Sequence, residues 1–347
     1  MKVRYSYLPQ QFADPSAIFA EMRKLVATGD FTLGKPVAEF ERRFAAMIGV
    51  KHAIGVASGT DSLKLALKAA GVGRGDEVIT AANTFVSSVG AINEIGATAV
   101  LVDADDSFCL APDRLEAAIT PRTKAIMPVH LTGNVCDMPA VMAIAGRCGL
   151  AVVEDACQAI LAEFNGKRAG TWGVAAGFSL HPLKNLNIWG DGGVVVTDDD
   201  AVAERLKLLR NHGLKDRDTV EILGYNSRLD SLQAIVGNWL IASVEEITSR
   251  RIENAAFYDR HFSEIPQIRL PSRCRQERLS PVHGFRGRPG CALAALSRPR
   301  RQRQDPLSDP ALSATGIAPS RLCGRIVSRH RSTRKNGNLV SRGSAPN

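Results

Sequence analysis

The sequence contains no CxxC pair, no GxxxxGK[ST] stretch and no run of about 18 apolar residues. The first absence, with seven scattered cysteines (Cys109, Cys136, Cys148, Cys157, Cys274, Cys291, Cys323), argues against a zinc ribbon or a disulfide framework. It points instead to a reducing, cytoplasmic setting. The second excludes a P-loop nucleotide site, and the third a membrane-spanning helix. The first residues, MKVRYSYLPQQFADPS, lack the apolar stretch of a signal peptide.

Aromatic and acidic residues run out toward the C-terminus. Residues 271–347 hold one aromatic, Phe285, and three acidic side chains, Glu277, Asp305 and Asp309, against 15 Arg and one Lys. They also hold 8 of the 17 prolines. Residues 1–270 carry 28 basic and 32 acidic side chains, so the net charge of +9 lies entirely in the last 77 residues. The body is mildly acidic, and no nucleic-acid partner is expected for it.

In the body, short apolar runs alternate with amphipathic ones. Strands are expected at 53–57, 77–81, 98–103, 125–129, 150–154, 176–180 and 193–197. Helices are expected at 61–70, 87–95, 112–118, 140–148 and 200–209. That alternation implies an α/β fold with a mostly parallel sheet covered on both faces. Ligands of such sheets bind beyond the carboxyl ends of the strands.

Three strand ends carry chemistry. Ser58-Gly59-Thr60-Asp61-Ser62 is a small-residue turn entering a helix; its free N–H groups and helix dipole suit a phosphate, although many such turns are only caps. Asp155 closes an apolar strand, where a carboxylate needs donors or a cation, or else acts as a helix cap. Lys184 follows another buried strand, boxed by Ser179, His181, Asn185 and glycines. A partly desolvated lysine loses its proton more readily and condenses with aldehydes, whereas a lone lysine is usually a solvated surface charge. Together, a phosphate turn, a carboxylate and a lysine are the set that pyridoxal 5′-phosphate (PLP) requires. Phe85, after the strand at 77–81, could cover the cofactor ring or simply sit in the core.

The body resembles the DegT/DnrJ/EryC1/StrS family of PLP-dependent sugar aminotransferases. The resemblance rests on GKPVAEFE (34–41), SGTDSLKLAL (58–67), GDEVITAANTFVSS (75–88), KAIMPVHLTGNVCDM (124–138), VVEDACQA (152–159), FSLHPLKNLNIWGDGGVVVT (178–197), RNHG (210–213) and GYNSRLDSLQA (224–234). It implies a PLP-dependent transferase fold of type I, a three-layer sandwich. It also implies the site. Lys184 holds the aldehyde, Asp155 pairs with the ring nitrogen and Gln158 contacts the ring hydroxyl. Ser179 binds the phosphate with the backbone of Gly59 and Thr60, and Phe85 stacks on the ring. Asn226 reaches the phosphate of a second subunit, which implies a homodimer, and His181 either tunes proton transfer or packs. The implied partners are an amino donor, usually glutamate, and a nucleotide-linked keto sugar. A dehydratase branch replaces the lysine by histidine; Lys184 favours transamination.

The resemblance divides the chain into a large PLP-binding domain at 1–240, the start of a small domain at 241–271, and a remainder at 272–347 that does not resemble the family. A basic nucleic-acid-binding arm on a non-catalytic PLP fold is one reading of that remainder. A shifted reading frame from between Pro271 and Ser280 is the preferred one. Codons permitted for residues 304–311, read one base later, give Lys-Ile-His-Tyr-Pro-Ile-Pro, which matches a family segment near the active site. The small domain is then incomplete, and weak PLP binding and poor turnover are expected of the chain as written.

Overall fold

A computed structural model describes residues 6–272. The expectations for the tail beyond Ser272 lie outside the described residues. The helices are α1 (Leu8–Gln11), α2 (Ser16–Thr28), α3 (Lys35–Ile48), α4 (Gly59–Ala69), α5 (Val86–Glu94), α6 (Met138–Cys148), α7 (Asp200–Arg210), α8 (Ser231–Leu240) and α9 (Val244–Phe262). The strands are β1 (His52–Val56), β2 (Glu77–Ala81), β3 (Thr98–Val102), β4 (Thr123–Met127), β5 (Ala151–Asp155), β6 (Glu163–Phe164), β7 (Lys167–Arg168), β8 (Ala175–Ser179) and β9 (Gly193–Thr197).

Seven strands form one sheet in the order β1-β9-β8-β5-β4-β2-β3, and β6 and β7 form a separate small hairpin. The pairs β8–β5, β5–β4, β4–β2 and β2–β3 are parallel; β9 runs antiparallel to both its neighbours. Alternating residues of the strands enter two separate cores, as the pleat requires. Ile54, Val56, Val78, Ala125, Met127, Val153 and Val195 pack with α4, α5 and α7. Ala53, Ala176, Phe178, Val194 and Val196 pack with α2, α3 and α8 on the other face, and Ile79, Ala81, Ile126 and Val152 pack with α6. Three layers result, helix on sheet on helix.

Every expected strand is present within two residues of its expected bounds. The expected helix at 112–118 is instead two 3-10 turns, Pro112–Arg114 and Glu116–Ala118. Leu115 alone is buried there, and one apolar anchor cannot hold the two full turns that an amphipathic α-helix needs. Unforeseen were α1 to α3, which precede the first strand, the β6–β7 hairpin, and α8 and α9. Among the described residues no helix is long and apolar enough to cross a membrane.

Candidate active site

The site is built where β1, β5 and β8 end. Helix α4 starts at Gly59, and the Ser58 hydroxyl caps it by accepting from the Asp61 amide at 3.1 Å. The amides of Gly59 and Thr60 donate to no described residue, as the first N–H groups of a helix have no intrahelical acceptor, and such groups suit an anion. Gly59 lies against Ser179: a Cβ on it would come within 2.6 Å of the Ser179 Cβ and 2.9 Å of its Oγ. Missing side chains also set the depth of the cup, since a Cβ on Gly177 would strike Ser62 and one on Gly193 would strike the Ser58 carbonyl. The amides at the start of α4 and the Ser179 hydroxyl thus lie side by side.

Asp155 is the last residue of β5 and is 5% exposed. Its Oδ2 accepts from Ser88 Oγ at 2.7 Å, and its Oδ1 from the Cys157 amide at 3.2 Å. Its neighbour Glu154 points to the opposite face, fully buried. Glu154 accepts from the amides of Gly170, Trp172 and Gly173 at 2.7–2.9 Å and from His130 Nε2 at 2.9 Å. The His130 Nδ1 accepts from the Cys136 amide, so Nε2 carries the proton. This second carboxylate pins the chain after the β6–β7 hairpin beneath the site, and nothing in the local sequence marked it.

Cys157 links the parts. Its Sγ lies 3.8 Å from the Gly59 carbonyl and 3.6 Å from that of Gly177. Burial and then the Asp155 charge push its thiol well above the usual range, while Lys184 acts in the opposite direction. Lys184 is half-buried on the turn after β8, where its amide donates to the His181 carbonyl and its own carbonyl accepts from Asn187.

The remaining residues expected at the site divide. Gln158 is half-buried, with Oε1 accepting from the amide of Thr132, which has a left-handed backbone at φ 56°. That anchor leaves its NH2 group as the donor to a ligand. Phe85 is 59% exposed at the N-cap of α5 and is not an ordinary core phenylalanine. His181 is exposed, and its Nδ1 accepts from the Leu183 amide, closing the turn that carries Lys184. Asn226 is exposed, but its neighbour Ser227 is buried, donating to Asp61 Oδ2 at 2.8 Å and accepting from the Ala57 amide at 3.3 Å. The 225–228 segment is thereby tied to the phosphate turn of its own chain.

Residues 14–288 match the DegT/DnrJ/EryC1/StrS aminotransferase family. The chain belongs to this family. It is 43% identical to the dTDP-3-amino-3,4,6-trideoxy-alpha-D-glucose transaminase of Streptomyces venezuelae, over 75% of this chain and 71% of that protein. It is 44% identical to the UDP-N-acetyl-3-dehydro-alpha-D-glucosamine 3-aminotransferase of Acidithiobacillus ferrooxidans, over 74% of this chain and 72% of that protein. The crystal structure of S. venezuelae DesV superposes with a TM-score of 0.75 at 41% identity, covering 79% of this chain and 74% of that one. The sheet and its helices are those of the PLP-dependent aminotransferases, and PLP is the cofactor of the family. The residues present fit it. The open amides at Gly59 and Thr60 beside Ser179 match a phosphate, and the near-buried carboxylate of Asp155 matches a protonated ring nitrogen.

Proposed function

We propose that the chain is a PLP-dependent aminotransferase that moves an amino group, with glutamate as donor, to a nucleotide-linked keto sugar. The observation that carries this reading is the meeting of the Gly59–Thr60 amides, the Ser179 hydroxyl and the Asp155 carboxylate at the carboxyl ends of β1, β8 and β5, with Lys184 on the turn that follows β8. The bound cofactor supplies an aldehyde that carries the amino group and a ring that takes up the electron pair of the donor's Cα.

The chain's residues do the rest. Gly59, Thr60 and Ser179 hold the phosphate. Asp155 holds the proton on the ring nitrogen, and Gln158 donates to the ring hydroxyl. Phe85 covers one face of the ring and excludes water from it. Lys184 would hold the cofactor's aldehyde through Nζ, and its amine, when free, would move a proton at the donor's Cα. His181 shapes the lysine turn through Leu183.

Two chains complete two sites in this reading. Asn226 is exposed on a segment fixed by Ser227, which supports its reaching a phosphate in the second subunit of a homodimer. Four free cysteines among the described residues, Cys109, Cys136, Cys148 and Cys157, support a cytoplasmic setting. The large domain is assigned to residues 1–240, the start of the small domain to 241–271, and an out-of-frame sequence to 272–347. The exposed rings of Phe257 and Tyr258 on α9 support a missing cover there.

The test is reduction with borohydride after loading with PLP, followed by peptide mapping. Label on Lys184, its loss in Lys184→Ala, and amino-sugar formation from glutamate and a nucleotide-linked keto sugar are expected. Label on a different lysine refutes the site.

A further inference from the structure

The first turn of α5 does more than present Phe85. Ser88, fully buried on that turn, donates its only hydroxyl proton to Asp155 Oδ2 at 2.7 Å. Its oxygen lies 2.7 Å from Thr84 Oγ1. With the Ser88 proton committed to a carboxylate, the Thr84 hydroxyl is the donor in that second bond. The chain is directional: Thr84 to Ser88 to Asp155. A serine three residues into an apolar helix normally turns to solvent or to the backbone. This one turns inward, onto an ionisable group.

We propose that Ser88, backed by Thr84, is a positioning residue that keeps the Asp155 carboxylate aimed at the cofactor's ring nitrogen, so that one helical turn holds both the ring's cover and its counter-ion. The proposal rests on the reading of Asp155 as the ring-nitrogen partner. Donors on a carboxylate favour its charged form. With Oδ2 held by Ser88 and Oδ1 by the Cys157 amide, the Asp155 carboxylate has a fixed orientation and retains lone pairs for the ring N–H. Without Ser88 the buried carboxylate keeps a single donor and turns away from the ring N–H. The ring is then a poorer electron acceptor and is held less tightly.

The test uses the full-length chain, stripped of cofactor, and two ligands followed by tryptophan fluorescence: PLP, and its carbocyclic analogue with CH in place of the ring nitrogen. Ser88→Ala should weaken PLP about tenfold, the scale of a hydrogen bond to a charged group, and leave the analogue unchanged. Ser88→Thr should restore most of the loss. Thr84→Val, which preserves shape, should show a smaller loss with the same selectivity. Equal losses for both ligands in Ser88→Ala and Thr84→Val, or none for either, would overturn the proposal, provided Asp155→Asn still discriminates between them. An Asp155→Asn variant that treats PLP and the analogue as wild type does overturns the underlying reading of Asp155, and the proposal with it.

Discussion

Gly59 shows how a single missing side chain lets a helix start lie against a strand end. Its Cα faces Ser179 so closely that any Cβ would overlap it. Gly59→Ala should push the start of α4 off Ser179 and separate the hydroxyl from the two open amides. PLP affinity should fall about tenfold or more, and the same loss should appear with pyridoxamine phosphate but not with unphosphorylated pyridoxal. Titration of the cofactor-free protein with the three ligands checks this. At this scale the sequence was legible where chemistry is rare: a charge such as Asp155 or Lys184 at the end of an apolar strand is costly to bury unless a partner or a ligand meets it. Ser88 was illegible because a serine near a helix start reads as ordinary. Glu154 was illegible because its partners, His130, Gly170, Trp172 and Gly173, lie 16 to 24 residues away in sequence. Only the folded chain shows those distances closed.

Helix α4 is held as well as capped. Lys64, 8% exposed, bonds Asp61 and, at 3.1 Å, Glu94 of α5, and it lies 4.6 Å from the Tyr225 ring centroid. Burial works against its charge, but the two carboxylates outweigh it and hold its pKa above the ordinary value. The sign of the linkage follows. A lysine raised in the folded state stabilises fully below its unfolded pKa of about 10.4, and that contribution fades as pH rises through the higher folded value. Urea unfolding should therefore show stability declining above about pH 10 in wild type, with this slope reduced in Lys64→Met. At pH 7 the variant should lose about 2–3 kcal/mol, because two carboxylates are left without their cation. The strands were legible from their apolar runs and turn residues. The 112–118 segment misled because Pro112 and the charges around it imitate a helix start, while the bonds that form are i to i+3, such as Leu115 to Pro112. Helices α2 and α3 were missed although α3 buries Val37, Phe40, Phe44, Ala45 and Ile48 at helical spacing; the strand-first reading passed over them.

Taken whole, the molecule invites two tests, one of its partner and one of its reading frame. If Asn226 serves the second subunit, Lys184→Ala and Asn226→Ala chains should complement. Each homodimer lacks a required group at both sites. A mixed dimer carries one complete site, on the chain that keeps Lys184. Borohydride labelling at limiting PLP should recover about half the wild-type yield in the fraction that is mixed, as counting sites requires; no recovery on mixing means that each site is built from one chain. The family match runs to residue 288, somewhat beyond the window expected for the shift. Restoring the frame from between Pro271 and Ser280 should raise PLP affinity at least about tenfold and cover the α9 aromatics, lowering dye binding to exposed apolar surface. Unchanged affinity in the restored chain would argue that the written sequence is the working one. The tail was legible only as composition: charge and proline counts reveal a break but carry no fold.

Gly193 sits on the same rung of the sheet as both Val56 and Ser179, because β9 returns between β1 and β8. The phosphate cup therefore needs chain segments more than 120 residues apart in sequence, 58–60 and 193, to meet before it exists. If the phosphate sits there as proposed, a nascent chain that stops short of β9 cannot hold PLP. Cofactor capture is thus a late event of folding, and a ribosome-stalled nascent chain would begin to retain PLP only once residue 197 had cleared the exit tunnel. Vitamin supply then bears on the yield of folded protein as well as on its turnover, since each captured cofactor withdraws a finished chain from the pool that can still unfold.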